Sequence, residues 1–124
     1  MTKPTKEKIL TDPWPVSLDA IKAAPDHHDV LLENDQVRVL DTVIKVGATV
    51  PVHTHRWSSV MYVLSFSDFV RYDADGKVLV DTRNLPGKPQ VGEAMWSSPL
   101  PPHSLQNVGS ADLRLITVEL KGDA

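Results

Sequence analysis

Residues 47–66 constrain the fold of this chain more than any other stretch. An apolar run leads into His53-Thr-His55, and the β-branched and aromatic run Ser59-Val-Met-Tyr-Val-Leu64 follows. Residues two apart on a strand project to one face, with their backbones about 7 Å apart. His53 and His55 therefore point the same way, and Thr54 turns away. Two neutral imidazoles converging from one strand make half of a metal site. His103 is the best candidate for the other half, because Pro101-Pro102-His103-Ser-Leu-Gln-Asn107 reads as the start of a further strand.

Strand signals surround this centre. Residues 30–33 run to a turn at Asn34-Asp35, and the β-branched run 37–46 stops at Gly47. Runs 50–55, 59–66 and 68–72 follow. Asp75-Gly76 is a hairpin signal, with 78–80 as the returning strand. Asp73, Asp75 and Gly76 imitate a calcium loop but lack its remaining oxygen ligands, so the turn reading holds. After a loop at 84–89, runs 91–96, 103–108 and 113–120 complete the set, the last two separated by a turn at Gly109. Many short strands with almost no helix indicate an all-β sandwich or barrel.

Residues 1–29 are expected to form an N-terminal arm and 30–124 the β-domain. The arm is irregular where Pro4, Pro13 and Pro15 interrupt it, with Trp14 available to pin it to the barrel or to a second subunit. A short helix over 17–24 is expected, with Ser17 as cap and Pro25 as stop. The following loop carries His27 and His28, which are expected to face solvent.

The histidine pattern resembles the cupin superfamily. Gly47, five residues, then His53-Thr-His55 looks like the first cupin motif, G-x5-H-x-H-x3,4-E-x6-G. Gly92, ten residues, His103, three residues and Asn107 looks like the second, G-x5-P-x-G-x2-H-x3-N. The resemblance covers about residues 34–120, and the segments 26–40 and 59–64 also look like those of small stand-alone bacterial cupins. It implies a double-stranded β-helix, or jelly-roll barrel of RmlC-like type, and a metal bound by His53, His55 and His103. The departures are specific: the motif's glutamate ligand falls on Ser59, its closing glycine on Phe66, and the second motif's proline and glycine on Ser98 and Leu100.

Bulk properties exclude other classes. A chain of 124 residues with 41% hydrophobic and 23% charged residues is one ordinary globular domain. A net charge of −3, with no run of Lys or Arg, argues against a nucleic-acid partner. The absence of cysteine removes thiolate nucleophiles, thiolate metal sites and disulfides. The polar N-terminus and the lack of a long apolar stretch point to a cytoplasmic protein with no membrane partner. No nucleophile elbow or phosphate-binding glycine loop is present.

With Ser59 in the glutamate's place, Met61 and Val63 share its inward face, while Val60, Tyr62, Leu64 and Phe66 point outward. Leu105 and Asn107 share the face of His103. The expected pocket is therefore three imidazoles and a hydroxyl in an apolar lining, with Ser59, Met61 and Leu105 in its wall and Arg38 available to recognise a carboxylate. Arg56 is expected at the rim, and Trp57 and Trp96 in packing roles. Three neutral imidazoles leave a divalent ion its full charge, and they suit iron, zinc, manganese, nickel or copper without selecting among them.

Within the resembled family, three-histidine sites without the glutamate occur in iron dioxygenases acting on thiols and diketones. The resemblance thus implies a metal-dependent oxygenase of a small organic acid, ketone or thiol. A non-catalytic module that senses or sequesters a small molecule is the alternative, as is a metal-free isomerase-like cupin using histidines as acid and base. The outward apolar stripe of 59–66 also predicts a homodimer.

Overall fold

A computed structural model describes residues 14–122. Residues 1–13 of the expected arm lie outside the described residues. The described residues form nine strands: β1 (His28–Glu33), β2 (Val37–Ile44), β3 (Thr49–His55), β4 (Ser59–Ser65), β5 (Phe69–Asp73), β6 (Val78–Asp81), β7 (Ala94–Ser97), β8 (Leu100–Asn107) and β9 (Leu113–Leu120). They pair antiparallel into two sheets, ordered β1-β2-β9-β4-β7 and β3-β8-β5-β6. This is the jelly-roll, double-stranded β-helix architecture.

Alternation along the strands sets what lies between the sheets. On β2, Arg38, Leu40, Thr42 and Ile44 are buried while their neighbours are only half-buried. On β8 the buried set is His103, Leu105 and Asn107. Ile44, Val50, Leu105 and Leu113 meet Ala24 in the core, with Phe66, Phe69 and Leu115 against them. The β5–β6 hairpin turns at Gly76, whose φ of +87° is left-handed backbone that glycine adopts without strain.

Asn107 closes one end of the barrel. Its amide donates to the carbonyls of Ile44 and Ala111, both at 2.9 Å, and its oxygen accepts from Ser67 Oγ at 2.7 Å and Gly109 N at 3.0 Å. With both donors and both acceptor positions occupied, it is a structural residue rather than a pocket residue.

Three details differ from the sequence expectation. The helix (α1, Ala20–Ala23) is capped by Asp19, not Ser17, which precedes it in a 3₁₀ turn over Val16–Leu18. His28 is not in a solvated loop: a 3₁₀ turn over Pro25–His27 feeds directly into β1, and His28 is buried. Phe66 does not face outward. The β4–β9 register shifts between Val63 and Ser65, and this bulge resets the alternation so that Phe66 packs on the core.

Candidate metal centre

Four histidines meet between the sheets. His28 opens β1, His53 and His55 lie on β3, and His103 sits on β8 as the register partner of His53. His28, His53 and His55 each offer a nitrogen within 4.8 Å of the other two. The His103 ring centroid is 4.3 Å from that of His53 and 5.9 Å from that of His55. His28 and the His-x-His pair come from opposite sheets, so folding of the barrel assembles the cluster.

Every one of these rings is oriented through Nδ1. His53 donates to the carbonyl of Pro51 at 2.8 Å, His103 to that of Pro101 at 2.7 Å and His28 to that of Ala24 at 2.9 Å. A carbonyl can only accept, so Nδ1 carries the proton and the lone pair of each neutral ring is on Nε2. His55 Nδ1 donates instead to the Glu119 carboxylate, Oε2 at 2.9 Å. This is the carboxylate–histidine arrangement that fixes a metal-ligating imidazole and raises its basicity.

Burial keeps the rings of His28, His53 and His103 neutral. It lowers His53 to about 2, with the neighbouring imidazoles of His103 and His55 adding to the effect. It likewise lowers His103 to about 3 and, with help from His55, His28 to about 4. A group of imidazoles with committed Nδ1 atoms, three of them held neutral by burial, is a donor set for a divalent transition metal.

Glu119 carries the outer part of the centre. It is fully buried, and its Oε1 accepts from Arg38 Nε at 2.5 Å. Arg38 in turn holds Asp19 through Nη1 at 2.9 Å and Nη2 at 3.2 Å. Asp19 also pairs in a β-bridge with Thr54, the residue between the two histidines of β3. Burial pushes the Glu119 carboxyl up, but its hydrogen bonds from His55 and Arg38 hold it below the usual carboxylate range.

In register terms, Arg38 of β2 faces Glu119 of β9, which faces Ser59 of β4. The carboxylate that the first motif lacks at Ser59 therefore stands one strand away, behind His55. The sequence carried a signal for it: Leu113, Leu115, Thr117 and Glu119 share one face of β9, and a lone charge on an otherwise uncharged inward stripe requires a buried partner.

The histidines open onto a cavity of about 200 Å³ whose remaining wall is mostly aliphatic and aromatic. His53, His55, His103, Ser59, Met61 and Leu105 all line it, and His28 joins them. Arg38 does not. Its guanidinium is held by Asp19 and Glu119 and so cannot serve as the expected carboxylate anchor. Trp57 sits under cations, with Arg38 Cζ 5.0 Å and Arg56 Cζ 4.8 Å from its ring, whereas Trp96 is exposed rather than packed.

Solved structures share this fold. A cupin domain from Bordetella pertussis superposes with a TM-score of 0.62 at 16% identity, over 77% of this chain and 92% of that one. A double-stranded β-helix protein from Klebsiella pneumoniae gives 0.55 at 19%, over 78% and 77%. The polyketide cyclase RemF from Streptomyces resistomycificus gives 0.53 at 18%, over 98% and 81%. No family model and no curated protein matches the chain. The chain has the RmlC-like cupin fold, carrying a histidine cluster suited to a divalent transition metal and no carboxylate from the position where the motif has one. Among the described residues no helix is long and apolar enough to cross a membrane.

Proposed function

We propose that this chain is a metal-dependent enzyme, an oxygenase of a small organic acid, ketone or thiol. Its metal is held by His53, His55 and His103, with His28 as a fourth donor. One observation carries the reading: each imidazole has its Nδ1 proton fixed on an acceptor, so the lone pairs are left on Nε2 in a cavity with an apolar wall. A divalent ion bound by neutral imidazoles keeps its full charge and supplies Lewis-acid chemistry at coordination positions left open. The chain's own contribution is positional. Glu119 and Arg38 hold His55, backbone carbonyls hold the other rings, and the aliphatic wall excludes water from the reacting molecule.

The test is oxygen uptake by protein loaded in turn with iron(II), manganese(II), nickel(II), copper(II) and zinc(II), against small acids, diketones and thiols. Uptake with one metal and one substrate class, abolished in His53→Ala, is the expected result. Ligand binding without any turnover would favour the sensing module instead.

The working unit in this proposal is a homodimer. A row of apolar residues, Leu32, Val39, Val118, Val60 and Trp96, crosses all five strands of the larger sheet in register. Leu32 and Trp96 are exposed, as are Tyr62 and Leu64 on the same face of β4. The described part of the N-terminal segment packs on β1, β2 and β3.

A further inference from the structure

Among the described residues, two buried side-chain polar atoms have no hydrogen-bond partner, Arg71 Nε and Thr42 Oγ1, and both residues line the histidine cavity. Buried polar groups in folded proteins are almost always satisfied, and an exception calls for a cause. Arg71 is on β5 and Thr42 on β2, so the two orphans lie in opposite walls. Thr42 is the register partner of His28.

Arg71 is unlike the other arginines seen here. Arg38, Arg83 and Arg114 each pair with a carboxylate. The surroundings of Arg71 hold no anion: its register partners are Leu105 and Val80, its Cζ lies 5.8 Å from the Phe69 ring, and the neighbouring titratable group that feels its charge is His103. Burial lowers its affinity for its proton, and no carboxylate offsets that effect. A half-buried guanidinium that no protein anion neutralises is costly to the fold, and such a cost persists where a bound ligand relieves it.

We propose that Arg71 is the carboxylate anchor of the cavity, so that the molecule bound there is a small aliphatic monocarboxylate, its head group on Arg71 and its hydrocarbon body against the apolar wall. Thr42 Oγ1 supplies a second polar contact. The inference rests on reading the cavity as the substrate site, and it narrows acid, ketone or thiol to acid. It replaces Arg38, which the sequence suggested for this role, with an arginine whose fork is open. The guanidinium donates in a plane matched to a carboxylate, which lysine cannot imitate.

The experiment is calorimetric titration with straight and branched aliphatic acids from propanoate to octanoate, each beside its neutral amide, on chelator-treated and on metal-loaded protein. The metal-free arm separates this inference from the metal assignment, since binding to Arg71 does not need the ion. At least one acid should bind about tenfold or more tighter than its amide in both forms. In Arg71→Met that preference should vanish, while metal content stays at the parent level.

Without ligand, the melting temperature of Arg71→Met should be equal or higher, because the change removes an unpaired cation. A structural role for Arg71 would lower it. Equal binding of acid and amide, no binding of any acid, or a preference that survives in Arg71→Met would overturn the proposal. So would an acid preference seen only with metal present, because the anion would then be held by the metal.

Discussion

A neutral imidazole has one proton and one lone pair, and for His28, His53 and His103 a backbone carbonyl decides which nitrogen has which. His53 and His103 were legible in the sequence because strand periodicity and the Pro-Pro-His start place them. His28 was not, because a histidine pair beside Pro25 and Asp26 reads as loop, and only its register with Thr42 brings it inside. Glu119 gives the sharpest residue-scale prediction. Glu119→Gln keeps the shape but removes the charge behind His55 and beside Arg38. Metal affinity, read by chelator competition, should fall about 10- to 100-fold. Urea denaturation of the metal-free variant should show a loss of about 3 kcal/mol or more, because Arg38 keeps only Asp19. Unchanged values for both would remove Glu119 from the centre.

The same residues set a pH dependence. His28, His53 and His103 titrate in the fold at about 4, 2 and 3, below an unfolded value near 6.5. The unfolded chain therefore takes up protons first as pH falls. Stability of the metal-free protein is fully present above about pH 6.5 and is lost as pH falls toward 4 and below. Each group contributes up to about 1.4 kcal/mol per pH unit in that window. Denaturation curves between about pH 7 and pH 4.5 should show this slope, and a flat profile would mean the rings are not buried neutral.

At the scale of elements, alternation and turn residues gave most of the strands, β9 with its full span. The misses have local causes. The turn at Gly92 delays β7 to Ala94. The bulge in β4 turns Phe66 inward, which no alternating pattern can foretell. Asp19 takes the cap because Arg38 holds its carboxylate, a contact made only in the folded barrel. The β4–β9 pair carries its own prediction. Ser59 faces Glu119 across the ladder, so Ser59→Glu sets two carboxylates side by side in a buried place. Metal retention against a chelator should tighten, because a charged oxygen ligand has been added, while the metal-free protein should melt lower. A variant that melts as the parent does without metal would show that residue 59 does not face the centre.

At the scale of the whole molecule, one sheet face carries exposed apolar side chains among the described residues. The apolar row from Leu32 to Trp96 spans the larger sheet, and exposed Tyr62 lies beside it. Light scattering at micromolar concentration should give a dimer mass, and Tyr62→Asp should shift it toward monomer. A monomeric mass for the unmodified chain would end the dimer proposal. The central claim, that the four imidazoles hold a metal, has a more direct test. Elemental analysis of protein purified without chelator or nickel resin should find about one divalent transition metal per chain. That content should be lost in His53→Ala and reduced in His28→Ala. Protein that carries no metal and takes none up on addition of iron(II), zinc(II) or manganese(II), or variants with unchanged content, would contradict it.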